Sequence, residues 1–76
     1  MTIEYWVARV VGPATPEAVA VAEVAARIAS GALFVSGDEI CEPLDMVESQ
    51  EKAENLALRH AARYGFTCKV VLSADL

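Results

Sequence analysis

The chain has 76 residues, of which 55% are apolar, and a formal net charge of −5. A chain of this length forms one small domain, and its apolar content supports a packed core rather than disorder. The excess of acidic side chains argues against direct binding of nucleic acid, which needs Lys and Arg clustered toward the phosphates. We therefore expect residues 1–76 to form a single domain that contacts no nucleic acid itself.

Other features of the sequence narrow the class of protein further. Its apolar runs are far shorter than the roughly 18 residues that a membrane span needs. The opening segment MTIEYWVARV lacks the basic head and apolar middle of a secretion signal, so we expect a cytoplasmic protein. Cys41 and Cys68 are too few for a disulfide framework and should be reduced, although a disulfide between two molecules stays open. With a single histidine, the chain offers no compact ligand set, and no metal site is expected.

The strands are predicted from β-branched and aromatic runs at residues 3–11, 32–35, 40–44 and 66–73. Gly12 and Pro13 are expected to end the first strand, because proline cannot donate a hydrogen bond to a sheet. The pair Gly37-Asp38 favours a two-residue hairpin turn between the second and third strands. Pro43 would place the third strand at a sheet edge or at a strand end.

Two helices are predicted between these strands. Thr15, followed by a proline, has the character of an N-cap, and Gly31 falls where a left-handed C-cap residue belongs. Asp45 with Glu48 three residues later forms a capping box, so the second helix should begin there and run to Tyr64.

The resulting order is strand, helix, strand, strand, helix, strand. This order predicts an α+β domain of the ferredoxin-like βαββαβ type, with two helices on one face of an antiparallel sheet. The first strand is apolar on both faces, and helices can cover only one of them. Self-association through the other face is one outcome, and a solvent-facing monomer is the alternative. The residues predicted for self-association are Tyr5, Trp6 and Val71.

Seven of the eleven acidic residues crowd between positions 36 and 54, where Lys52 is the one basic residue. Helix capping, turn formation and an i,i+4 ion pair account for part of this cluster. The functional alternative is an acidic surface that binds a basic protein. Calcium is not indicated, because the regular spacing of a calcium loop is missing. The candidate partner-binding residues are Asp38, Glu39, Glu42, Asp45, Glu48, Glu51 and Glu54.

No catalytic site is predicted. His60 lies on the apolar face of the second predicted helix, and no serine or cysteine is placed beside it by spacing. The sequence contains no phosphate-binding loop, nucleophile elbow or paired-cysteine motif. We expect a protein that is not an enzyme and carries no cofactor.

Two resemblances bear on function. The element order resembles the ACT-type regulatory domains, whose glycine-rich turn after the first strand is echoed by VGPATPE. That resemblance implies a small-molecule-binding regulatory domain. In size, acidity and lack of catalytic motifs, the chain is similar to phage-encoded anti-CRISPR inhibitors, many of which block the basic surfaces of a Cas complex with carboxylates. This second resemblance implies a non-catalytic inhibitor or regulator of a basic protein or complex, which could itself bind nucleic acid. It assigns the contact to the segment from Asp38 to Glu54.

Overall fold

The computed structural model describes residues 3–75, which form an α+β protein with one four-stranded antiparallel sheet. The strands lie in the order β2-β3-β1-β4. A single 3-10 turn, Ser73–Asp75, follows the last strand. The elements in chain order are β1 (Tyr5–Pro13), α1 (Pro16–Ala20), α2 (Ala22–Ser30), β2 (Phe34–Ser36), β3 (Glu39–Val47), α3 (Gln50–Tyr64) and β4 (Cys68–Leu72).

The central strands, β1 and β3, have 9 residues each. β3 is longer than the predicted 40–44, whereas β1 has the predicted length but lies two residues further along the chain. Two register shifts interrupt their pairing, one between Val7 and Ala8 and one between Val10 and Gly12. The expectation that Pro43 marks an edge or a strand end is wrong, since Pro43 pairs with Ala8 inside an interior strand. Proline is tolerated there because it adjoins a β-bulge, where the hydrogen-bond ladder is already interrupted.

The end of β1 also differs from the prediction. The strand ends at Pro13 and not at Val11, because Gly12 and Pro13 are its last two residues and pair with Ile40 and Glu39 after the second register shift. The hairpin turn between β2 and β3 is confirmed, since Gly37 has a φ of 58°. A positive φ at the first turn residue matches the right-handed twist of the flanking strands.

The first predicted helix is divided into α1 and α2. Its two ends are confirmed: the Thr15 hydroxyl accepts a hydrogen bond from the Ala18 N–H at 3.1 Å, and Gly31 has a φ of 85°. Between them Val21 is extended, with φ −60° and ψ 125°. Neither short helix buries a residue. Because neither helix has a residue buried against the sheet, little packing energy favours a continuous helix, and the low helix propensity of β-branched Val21 allows the break.

The last helix begins later than predicted. Asp45 is not its N-cap, because Asp45 pairs with Val7 inside β3. The cap is Ser49, whose hydroxyl accepts a hydrogen bond from the Lys52 N–H at 3.4 Å. Gly65, with a φ of 74°, ends α3 as predicted. The sheet pairing of β3 with β1 therefore overrides the local capping signal at Asp45.

The two faces of the sheet follow from the register, because paired residues of neighbouring strands point to the same face. Val7 of β1 shares a face with Val70 of β4. We call it the α3 face because α3 contacts β1 and β4, and because Cys68 and Val70, which line a groove beside α3, both belong to it. Ala8 shares the opposite face with Lys69. Buried residues occur on both faces and in the elements around them: Val7, Ala8, Leu33, Ile40, Cys41, Ala53 and Val71.

The cap assignment predicts a difference between two substitutions. Ser49→Ala should lower the free energy of unfolding by about 0.5–2 kcal/mol, toward the lower end because the cap hydrogen bond is long. Asp45→Ala is the matched control, since among residues 3–75 the Asp45 carboxylate accepts a hydrogen bond only from the neighbouring Met46 N–H, at 2.8 Å on the surface. It should cost about 0.5 kcal/mol or less. Urea unfolding of both variants measures this, and a larger loss for Asp45→Ala would contradict the assignment.

Candidate functional site in the acidic segment

The seven carboxylates of the acidic segment, which runs from Asp38 to Glu54, are spread over a turn, a strand and the start of a helix and form no single compact cluster. All seven are exposed or half-buried. Within residues 3–75, no three carboxylate, histidine or cysteine side chains converge on a point where a metal ion could sit. The structure places Asp38 in the β2–β3 turn, Glu39, Glu42 and Asp45 in β3, Glu48 before α3, and Glu51 and Glu54 in α3.

The register of β3 divides these carboxylates between the two faces of the sheet. Glu42 pairs with Arg9, and Asp45 pairs with Val7, which places both on the α3 face. Glu39 lies on the opposite face, where its carboxylate is 3.0 Å from the Lys69 ammonium. Glu39 therefore differs from Glu42 and Asp45, because it lies on the other face of the sheet and is already paired with a lysine.

Glu39 and Lys69 form a partly covered ion pair across the sheet. The exposed fractions of their side chains are 41% and 28%, respectively. The Lys69 ammonium also donates to the Ser36 carbonyl at 3.5 Å, which ties β4 to the β2–β3 hairpin. A pair this exposed contributes about 0–1 kcal/mol to stability. The main consequence of this ion pair is that it holds the side chain of Lys69, the one charged residue of β4, over the sheet.

The remaining carboxylates differ in how far neighbouring groups engage them. Asp45 accepts a hydrogen bond from the backbone of Met46, and Glu54 accepts one from Gln50 at 3.3 Å. Arg9 lies opposite Glu42, but its guanidinium carbon is 5.1 Å from the ring centroid of Phe66. Within residues 3–75 no hydrogen bond or ion pair engages the side chains that remain, those of Asp38, Glu42, Glu48 and Glu51.

The residues predicted for self-association do not share one surface. Trp6 pairs with Val71 on the opposite face, whereas Tyr5 pairs with Leu72 on the α3 face. Val71 is only 7% exposed, and both aromatic residues are half-buried. Of the three, only Tyr5 and Trp6 offer surface to a second molecule.

Both cysteines are free thiols with different surroundings. Cys41 is fully buried on the opposite face, and burial raises the pKa of its thiol. Nearby Lys69 lowers that pKa and Glu39 raises it, but each effect is smaller than burial. Cys68 is half-buried under α3, and burial likewise raises the pKa of its thiol. Neither thiol has the depressed pKa that activates a nucleophile.

Two surface features were not predicted from the sequence. His60, Tyr64 and Phe66 form a stack with ring centroids 5.8 Å and 5.4 Å apart. The spacing of His60 and Tyr64 on one helix face was a usable signal, but the position of Phe66 depends on the turn at Gly65. The second feature is a groove of about 450 Å³ between α3 and β4. It is lined by Glu54, Ala57, Leu58, Ala61, Cys68, Lys69 and Val70.

Comparison of the chain with protein-family models, with curated proteins and with solved structures gave no match. In the part of the chain that the structure describes, no helix has the length and apolar character required to cross a membrane.

The burial of the two cysteines predicts their reactivity. With a disulfide reagent in dilute solution, Cys68 should react measurably and Cys41 only on unfolding, because Cys41 has no exposed surface. Both rates should rise with pH, because the thiolate is the reactive form. Cys68 reacts in the folded chain, where its pKa is raised, and Cys41 reacts in the unfolded chain, where the ordinary pKa is 9.0. Cys41→Ala and Cys68→Ala variants assign the two phases. Faster labelling of Cys41 than of Cys68 would contradict the structure.

The same pKa shifts make stability depend on pH in the alkaline range. The unfolded chain ionises its thiols near their ordinary pKa of 9.0, whereas the folded chain keeps them protonated to higher pH. The contribution of the two protonated thiols to the free energy of unfolding is therefore complete below pH 9.0 and is lost as pH rises through the raised pKa values of the folded chain.

Proposed function

We propose that this protein is a non-catalytic inhibitor or regulator that presents an acidic surface to a basic protein or protein complex. The observation that carries the proposal is the set of exposed or half-buried carboxylates that no side chain of residues 3–75 engages. Because no ion pair or side-chain hydrogen bond within residues 3–75 holds these carboxylates, their charge is available to a partner. The members of this set, which we call the available carboxylates, are Asp38, Glu42, Glu48 and Glu51.

The proposed mechanism is electrostatic steering. A surface of one sign raises the rate of encounter with an oppositely charged partner by 10- to 1,000-fold, and salt weakens the effect. Each exposed contact adds little by itself, about 0–1 kcal/mol. The partner is a basic protein, including one that binds nucleic acid, in the manner of an anti-CRISPR inhibitor acting in the cytoplasm.

We also propose that the domain belongs to the ferredoxin-like βαββαβ arrangement. Support comes from the strand order, in which β1 and β3 lie at the centre between β4 and β2, with all neighbours antiparallel. The division of the first helical segment into α1 and α2 is a departure from that arrangement.

A charge-matched pair of variants tests the acidic surface. The test variant replaces the available carboxylates with amides, and the control replaces the four carboxylates outside the acidic segment, so that both change the net charge equally. Glu39 is left intact because its loss would release Lys69. The test variant is Asp38→Asn, Glu42→Gln, Glu48→Gln and Glu51→Gln, and the control variant is Glu4→Gln, Glu17→Gln, Glu23→Gln and Asp75→Asn.

The partner is first captured from a host lysate with the wild-type chain, and its association rate is then measured against ionic strength. We expect the test variant to associate more slowly and with a shallower salt dependence, whereas the control stays close to wild type. Equal behaviour of the two variants would show that net charge alone acts, or that another surface binds, and would contradict the proposal.

The second candidate is a small-molecule-binding regulatory domain of the ACT type. The groove between α3 and β4 favours it, since its volume of about 450 Å³ is in the range of small-ligand sites. A thermal-shift screen against amino acids and nucleotides tests this function. A ligand at 100 times its Kd would stabilise the protein by about 2.7 kcal/mol.

A further inference from the structure

The outer edge of β4 has the geometry to pair with an identical edge. We propose that the protein forms a two-fold symmetric dimer in which β4 of one chain adds antiparallel to β4 of a second copy. The proposal concerns a different surface from the available carboxylates and does not depend on the function proposed above.

The hydrogen bonds between β1 and β4 show which backbone groups face outward. Val10 N–H donates to the Thr67 carbonyl at 2.8 Å, and Ser73 N–H donates to the Glu4 carbonyl at 2.9 Å. In an antiparallel pair, inward-bonding residues alternate with residues whose N–H and C=O point to the other side. The intervening residues Cys68, Val70 and Leu72 therefore direct their N–H and C=O groups away from β1.

These three residues are self-complementary. When two β4 strands run antiparallel with Val70 opposite Val70 of the copy, Cys68 lies opposite Leu72 of the copy. Every outward N–H then meets an outward C=O, so this one register satisfies the whole edge. The pairs directly opposite each other contain no like charges, because Lys69 faces Val71 of the copy.

The β4 edge has only one of the features that normally prevent such pairing. Edge strands are usually protected by proline, bulges, charged side chains, especially lysine, or very short length. β4 has 5 residues and pairs with β1 without a register shift. Its one charged residue, Lys69, is held by Glu39 and by the Ser36 carbonyl. The other edge strand, β2, is only 3 residues long.

The apolar surface beside this edge supports a second copy as the occupant. Leu58 of α3 is 69% exposed and lines the groove together with Cys68 and Val70, although Glu54 and Lys69 also line it. The side chains of Cys68, Val70 and Leu72 lie on the α3 face. Pairing of the two β4 strands would bring the two grooves together on that face and cover Leu58 of each copy. Hydrogen bonding and apolar burial thus select the same partner.

The first test is the molar mass in reducing buffer, by sedimentation over a series of concentrations. The wild type should approach twice the 8.1 kDa of one chain. Val70→Pro removes an N–H that the monomer does not use, and proline is tolerated where the N–H of an edge strand faces solvent. Leu58→Glu places a charge in the groove without changing the strand. Both variants should remain folded by circular dichroism and sediment as monomers.

The matched control is Val35→Glu, which adds the same charge at an exposed residue of the other edge strand, β2. It should remain a dimer. A wild type that stays monomeric at every concentration would overturn the proposal. So would a Leu58→Glu variant that dimerises as well as the control does.

A cross-link tests the register and stays informative if the proline variant fails to fold. Directly opposed residues in a hydrogen-bonded antiparallel pair have Cα atoms about 5.5 Å apart, which suits a disulfide. Leu72→Cys should therefore yield an oxidised dimer joined to Cys68 of the copy. Within one chain the two positions are four residues apart on an extended strand and cannot bridge. Leu72→Cys combined with Cys68→Ser should not form this cross-link, and equal cross-linking of the two variants would overturn the register.

Discussion

The pairing of β1 with β3 is the constraint on which the rest of the structure depends. It runs from Tyr5 opposite Val47 to Pro13 opposite Glu39, through two register shifts. Because β3 stays extended as far as Val47, α3 can begin only after Ser49. The same register sends Glu39 to one face of the sheet and Glu42 to the other. The shape of the acidic surface is thus a consequence of strand pairing and not of the local sequence.

Features whose energy is local could be predicted from the sequence. Thr15 caps α1, Gly31 and Gly65 end helices with positive φ, and Gly37 makes the hairpin turn. Each depends on contacts within a few residues. The capping box at Asp45 is equally local and worth about 1 kcal/mol, but it competes with the hydrogen bonds of a central strand. A sequence pattern within one segment does not show which hydrogen bonds that segment can form with a strand distant in the chain.

The same limit applies to the candidate site. The sequence indicated that carboxylates crowd between positions 36 and 54, and the structure places all seven at or near the surface. It could not indicate which are engaged, because the partner of Glu39 is Lys69, 30 residues further along the chain. The outward-facing groups of β4 were hidden for a similar reason. Whether the N–H of Val70 or that of Val71 points outward depends on the register of β4 with β1. The alternation of side chains along β4 alone does not determine this direction.

The available carboxylates and the outward-facing backbone groups of β4 lie on different parts of this molecule. The two proposed contacts should therefore respond to salt in opposite directions. The available carboxylates lie in the β2–β3 turn, in β3 and near the start of α3, whereas the β4 edge has one lysine turned toward its own sheet. Two copies that each carry a net charge of −5 repel one another at low ionic strength. Salt weakens this repulsion, because at about 0.1 M it screens charges separated by more than about 10 Å. Added salt should therefore strengthen the β4 contact, which depends on hydrogen bonds and apolar burial. It should weaken binding of a basic partner, which depends on attraction between opposite charges. The dependence of each contact on ionic strength thus distinguishes a self-association surface from a partner-binding surface on the same small domain.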